Sequence, residues 1–285
     1  MEQKNSKIDI LNKKQKYYRE VYYFLSSMQA GINIGLCRQK QEDSVLIMNH
    51  HLLDNIKLLA VADGMGGYEN GAEASNIALL EIINWFDNCP LNIFRKEKKI
   101  FLELNQLVDY IDETIRKKCA SGGTTLALSL VCNENTFFIN IGDSRIYTYT
   151  KNNLVQISED HSICWQKYSQ GTIKEKDDIR FHKQNNLITS KLGGEKKNLS
   201  VNSLYLKNRE YSDIYIFSDG ITDVLSDEIL KSLIQDNISI KPIFESVLET
   251  RSFNDYLDPN EYYREIPPGK DNCSAAALVK RKRLK

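Results

Sequence analysis

Acidic residues recur where apolar runs start or stop. "KLLAVADGMGG" halts on Asp63, "FFINIGDSR" on Asp143 and "YIFSDGITD" on Asp219. Glu42 and Asp43 in "RQKQEDS" come just before one apolar run, and Asp271 in "KDNCSAAALV" just before another. Taken singly, an Asp at a strand end is usually a turn residue that bonds its own backbone. Several on one chain suggest convergence, and clustered carboxylates raise one another's pKa unless cations neutralise them. An all-oxygen set suits hard cations such as Mg²⁺ or Mn²⁺ rather than zinc. The chain has only four histidines, and His50 and His51 fall together in an expected turn. Four or five carboxylates match two ions, with one Asp bridging them at about 3.5–4 Å, the spacing used for phosphoryl displacement. In this reading Asp63 is the bridge and the Gly64 carbonyl turns toward the same ion. Gly64, Gly66 and Gly67 let the backbone come close. Arg38, four residues before Glu42, offers a planar fork to two phosphate oxygens, although alone it would read as a surface arginine.

The elements that would position these groups follow from periodicity. "SVLIMN" and the run ending at Asp63 read as strands, as do "LALSLV", "TFFINI", "SVNSLYL", "DIYIF" and the closing "CSAAALVK". Helical stripes run from about Gly71 to Phe86 and from about Phe101 to Lys118, and two more lie between Asp227 and Thr250. Asn152-Asn153 suits a hairpin turn. "SGGTT" reads as a helix stop and tight strand entry. Strand-to-strand links are mostly too short for parallel crossovers, which predicts an α+β fold with mainly antiparallel sheets and helices packed outside them. Tyr18, Tyr22 and Leu25 fall at helical spacing, so the lead-in at residues 1–29 is expected to be partly helical. Residues 30–285 read as a single domain, with an irregular stretch at 159–187 and a basic tail at 280–285.

The whole-chain numbers exclude other classes. Thirty-eight basic and 38 acidic side chains cancel in a chain of 285 residues, which gives no sign of a nucleic-acid or membrane partner. Six scattered cysteines without a C-x-x-C pair suit reduced thiols in a cytoplasmic protein. The polar N-terminus reads as neither signal peptide nor membrane span.

In order along the chain, "RQKQEDS", "VADGMGGYENGAEAS", "SGGTTLALSLV", "INIGDSRIY", "ISEDHS", "ITSKLGG", "FSDGITD" and "DNCSAAALV" resemble the motifs of metal-dependent protein phosphatases of the 2C type, nearest to bacterial members. The resemblance covers about residues 30–279. It implies a central sandwich of two antiparallel sheets flanked by pairs of helices. It also implies hydrolysis of phosphoserine and phosphothreonine in proteins, in which a water activated by two Mn²⁺ or Mg²⁺ ions attacks in line without a phosphoenzyme. Carried over, Asp63 is the bridging aspartate and Gly64 the carbonyl ligand, while Asp219 and Asp271 hold one metal. Asp43 serves the other metal's side, with Glu42 beside it in direct or water-mediated contact. Arg38 binds phosphate, Asp143 is linked to a third, weaker ion, and Asn272 supports the ligands. The irregular stretch resembles the family's flap, where His161 is either a turn cap or a group that touches substrate or helps protonate the leaving group. Implied partners are phosphoproteins and a cognate serine/threonine kinase, and the chain is expected to act as a monomer.

Two departures stand out. Met65 occupies the place where many eukaryotic members carry a proton-donating His, as it does in many bacterial members, and Tyr68 a place where those often carry His, so no general acid is assigned; Gln41 replaces a frequent Asn. Two other readings compete. One is a catalytically silent binding module, whose mark would be missing ligands. The other is a two-metal phosphodiesterase, whose mark would be a basic stripe.

Overall fold

The computed structural model describes residues 9–10, 20–66, 70–119, 121–194, 199–263 and 265–281. In chain order the first strands are β1 (Asp9–Ile10), β2 (Glu20–Leu25), β3 (Met28–Asn33), β4 (Ser44–Asn49), β5 (Ile56–Ala62) and β6 (Gly64–Met65). After helices α1 (Asn70–Asn88) and α2 (Glu97–Lys118) come β7 (Gly123–Thr124), β8 (Leu126–Cys132), β9 (Asn135–Ile141), β10 (Arg145–Thr150) and β11 (Asn153–Gln156). Then follow α3 (Ile163–Ser169), β12 (Asn202–Lys207), β13 (Asp213–Phe217), α4 (Asp219–Thr222), α5 (Asp227–Asp236) and α6 (Lys241–Glu249). A small pair, β14 (Ser252–Phe253) with β15 (Glu265–Ile266), precedes β16 (Cys273–Val279).

Two six-stranded sheets, ordered β1-β4-β5-β8-β9-β12 and β11-β10-β13-β16-β3-β2, carry the fold, and every registered pair in them is antiparallel. Side chains alternate faces along a strand, and the sequence uses both faces. In β5, Leu59 and Val61 pack between the sheets, while Leu58, Ala60 and Ala62 pack beneath α1 and α2. In β13, Ile214 and Ile216 join the same middle layer, while Tyr215 and Phe217 meet α5 and α6. Strands with two apolar faces need cover on both sides, which gives the helix-sheet-sheet-helix order.

Three expectations are corrected. The tyrosine-rich lead-in is strand, not helix, where it is described: β2 pairs with β3 from Glu20↔Asn33 to Leu25↔Met28. Aromatic residues favour a pleated surface, and the Tyr22 ring stands edge-on to Phe244 at 5.3 Å, over Gly31. The sandwich therefore includes residues 20–29. Tyr18 lies outside the described residues, as do Tyr68 and positions 282–285 of the basic tail. The β10–β11 hairpin turns on Lys151-Asn152, both at positive φ, one residue earlier than expected. The 159–187 stretch is not irregular throughout. It contains α3, capped by the Ser162 hydroxyl accepting from Trp165 N–H, and a 3-10 turn at Lys176–Phe181. Cys164, Ile173 and Ile179 form a small core of its own, with Trp165 and Tyr168 packed on it.

The turn from β13 into α4 lies tight under the start of β16. A Cβ on Gly220 would stand 1.9 Å from the Asn272 carbonyl oxygen, a backbone atom that can move only with its strand. Gly220→Ala should lower stability by about 2–3 kcal/mol, read as a drop of several degrees in the thermal midpoint.

Candidate active site

Antiparallel pairing sets the end of one strand beside the start of the next. Ala62 of β5 lies opposite Ser44 of β4, Phe217 of β13 opposite Ala275 of β16, and Ile141 of β9 opposite Leu126 of β8. Asp63, Asp219 and Asp143 just past three strands thus gather with Glu42, Asp43 and Asp271 just before two others, all at one end of the sandwich. A cleft of about 280 Å³ opens there, lined by Arg38, Glu42, Asp63, Gly64, Asp143, Asp219 and Asp271 among others. Segments far apart in sequence meet here.

Neutral donors hold the acids in place across the two sheets. The Ser218 hydroxyl donates to Asp43 Oδ2 at 2.9 Å and accepts from Ser274 N–H at 3.0 Å. Asn272 Oδ1 accepts from Glu42 N–H at 2.9 Å, and its Nδ2 donates to the carbonyls of Ile34 and Lys40, both at 3.0 Å. Asp63 N–H donates to Thr125 Oγ1 at 3.0 Å, and its carbonyl accepts from Thr125 N–H and the Thr124 hydroxyl, both at 2.9 Å. Gly64 has no room for a side chain, since a Cβ would stand 2.2 Å from the Gly71 carbonyl.

The electrostatics are those of crowded, desolvated carboxylates. Burial, then repulsion from Asp43 and Asp219, pushes the Asp63 carboxyl well above its ordinary range. Burial and Asp219 do the same to Asp143, and burial with Asp271 raises Asp219. Asp43 is pushed up to about 7, chiefly by burial and then by Asp219. Burial also raises Glu42. Among the described residues, Glu42 Oε1 and Asp219 Oδ1 are buried acceptors without a hydrogen-bond partner. Buried anionic oxygens of this kind are costly unless a cation meets them, so the donor set fits divalent ions. Among the described residues no three His, Cys, Asp or Glu side chains already form an ion cage. An ion held by one or two carboxylates and several waters, as Mg²⁺ prefers, does not need one.

Not every expected residue sits where the sequence put it. Glu42 faces the cleft, whereas Asp43 lies fully buried behind it, tied to Ser218. Arg38, half exposed at the cleft, forms an ion pair with Asp271 at 2.6 Å. His161 does not line the cleft. Its Nδ1 accepts from Gly142 N–H at 3.2 Å and its own N–H donates to the Gly142 carbonyl at 2.9 Å, so it braces the turn that carries Asp143. Burial lowers its pKa. Asp223 was not singled out, yet burial and Asp219 push it up to about 7, and Asn185 Nδ2 donates to its Oδ2 at 2.8 Å. The available signal was its spacing, four residues after Asp219 on the same helical turn.

A family model described as protein phosphatase 2C matches residues 34–256. Serine/threonine phosphatase Stp of Listeria welshimeri is 27% identical over 212 residues, 72% of this chain and 82% of the relative. Protein phosphatase PhpP of Streptococcus pneumoniae is 25% identical over 224 residues, 76% of this chain and 87% of the relative. The crystal structure of phosphatase Stp1 from Staphylococcus aureus superposes with a TM-score of 0.73 at 25% identity, covering 91% of this chain and 96% of that one. The catalytic domain of PstP, crystallised with two manganese ions, shares the fold at a TM-score of 0.66 and 23% identity, covering 92% and 99%.

The raised carboxyls give a signed pH dependence. In EDTA, Asp43 and Asp223 keep their protons in the folded chain up to about pH 7, whereas an unfolded Asp loses its own near 3.8. Between those values the folded state binds more protons, so stability falls as pH rises. The thermal midpoint in EDTA should drop by several degrees from about pH 5 to about pH 8, and Mn²⁺ at the higher pH should restore it. A midpoint that is flat or rises across that range contradicts the assignment.

Proposed function

We propose, on the premise that the chain belongs to the protein phosphatase 2C family and is a serine/threonine phosphatase, that it hydrolyses phosphoserine and phosphothreonine in proteins by metal-assisted attack of water on phosphorus. The observation that carries this reading is the meeting of acids from separate strands in one cleft that also holds Arg38. Glu42, Asp63, Asp219, Asp271 and the Gly64 carbonyl would hold two Mn²⁺ or Mg²⁺ ions, and Asp143 with Asp223 a third. When bound, the ions supply an acidified water and positive charge facing the phosphoryl oxygens.

The protein's own contribution is positional. Arg38 presents a planar fork at the cleft, and its pairing with Asp271 sets its direction. Phosphoryl oxygens compete with Asp271 for that fork, so the guanidinium orients the substrate in the same place where the acids are gathered. Asn272 and Ser218 fix the chain on either side of the acids, which keeps the constellation pre-formed. Met65, in the cleft, carries no titratable proton, so the leaving serine oxygen takes its proton from water. No carboxylate of the expected set is missing, which argues against a silent binding module.

The substrates in this reading are phosphoproteins made by a cognate kinase. The chain acts as a cytoplasmic monomer with one catalytic domain, without nucleic-acid or membrane partners. Among the described residues no helix is long and apolar enough to cross a membrane.

With Mn²⁺ the protein should hydrolyse p-nitrophenyl phosphate, and EDTA should abolish the activity. Asp63→Asn and Asp219→Asn should each lose about a hundredfold or more in kcat/KM, with circular dichroism showing both variants folded. Equal rates in variants and wild type would end the proposal. Comparable turnover of bis-p-nitrophenyl phosphate would favour the diesterase instead.

A further inference from the structure

Beside the acid cleft, and sharing Met65, Asn186 and Ile188 with it, a second cavity of about 400 Å³ follows residues 186–191. One edge of the chain there is already used. Ile163 N–H donates to the Leu187 carbonyl at 2.9 Å and Thr189 N–H to the His161 carbonyl at 2.7 Å, the two bonds that flank the antiparallel Ser162–Ile188 bridge. Backbone groups alternate direction along an extended chain, so the N–H and C=O of Ile188 point away from residues 161–163. Among the described residues, neither group has a hydrogen-bond partner. The segment is open to solvent: Asn186 is exposed and Leu187 is 45% exposed. Ile188 lines both cavities, which puts this unpaired edge on the path from one to the other.

An unpaired extended edge is a template for another chain. We propose that the phosphorylated segment of a protein substrate binds here as an added strand, its main chain pairing with Ile188. This pairing sets the phosphorylated side chain in the acid cleft and a flanking side chain in the second cavity. The inference rests on the phosphatase reading and adds how the substrate backbone is held. Continuity of the edge with the cleft selects this occupant. Charge adds to it: Lys191 lines the second cavity, and its ammonium has no acidic partner among the described residues, which suits an acidic flanking side chain. Main-chain pairing accepts many sequences in one register and leaves selectivity to the cavities.

The test uses the wild-type protein with Mn²⁺ and a set of phosphoserine peptides. Each peptide is N-methylated at one backbone amide, and p-nitrophenyl phosphate is assayed alongside. Whether the added strand is parallel or antiparallel, only one substrate amide donates to the Ile188 carbonyl. One peptide should therefore lose about tenfold in kcat/KM, mostly through KM, while methylation of the amides on either side of that position changes it by less than about twofold. A flat profile, or equal loss at every position, with p-nitrophenyl phosphate still hydrolysed, overturns the strand pairing and leaves the phosphatase reading in place. Absence of turnover on both substrates removes the phosphatase reading, and this inference with it.

Discussion

Antiparallel pairing is the constraint on which everything else depends. It forces the exit of one strand to lie beside the entry of its neighbour, so residues just outside the strands collect at the ends of the sandwich. Asp63 leaves β5 where Asp43 enters β4, and Asp219 leaves β13 where Asp271 enters β16. The two sheets then face each other across Val45, Leu59, Ile214 and Ala276, which brings both sets of ends together. No single loop builds the cleft. It results from register, and a one-residue slip in any of these strands would turn its acid to the other face.

Gathering like charges in a partly desolvated place works against folding, and the chain meets the problem with neutral groups. Ser218, Asn272, Thr124 and Thr125 tie the acidic segments down through hydroxyl and amide bonds, which fix position without removing charge. The ion pairs differ on either side of the cleft. Arg145 and Asp160 are buried together at 2.7 Å beyond Asp143, a closed pair. Arg38 is half exposed and shares Asp271 with the cleft. The cleft therefore keeps its negative field, with Arg38 at hand as a cation that can exchange partners.

Much of this was legible because apolar runs and their terminal acids are local features. β5, β9 and β13 each announce themselves by hydrophobicity, and the acid after each marks the strand's end. What was hidden depended on three-dimensional neighbours. Tyr18, Tyr22 and Leu25 match a helical stripe, yet Tyr22 lies in an edge strand because Gly31 and Phe244 leave a place for its ring. Glu42 and Asp43 are adjacent, so their opposite roles rest on which face β4 presents, and Ser218 on the other sheet decides it. Asp223 drew no reading in sequence, because the Asn185 amide that meets it comes from 38 residues away. His161 reads as a possible proton carrier in sequence, but its ring is engaged by the Gly142 amide.

The small core of Cys164, Ile173 and Ile179 has a consequence for how such chains diversify. A surface excursion with an apolar centre of its own is fastened to the rest of the fold at anchors such as Phe181 and Arg180, so its outline away from them can be redrawn by substitution or lengthening while the sheets keep their register. Descendants of one catalytic scaffold could in this way acquire different clienteles by remodelling an appendage, with the inherited chemistry left as it was.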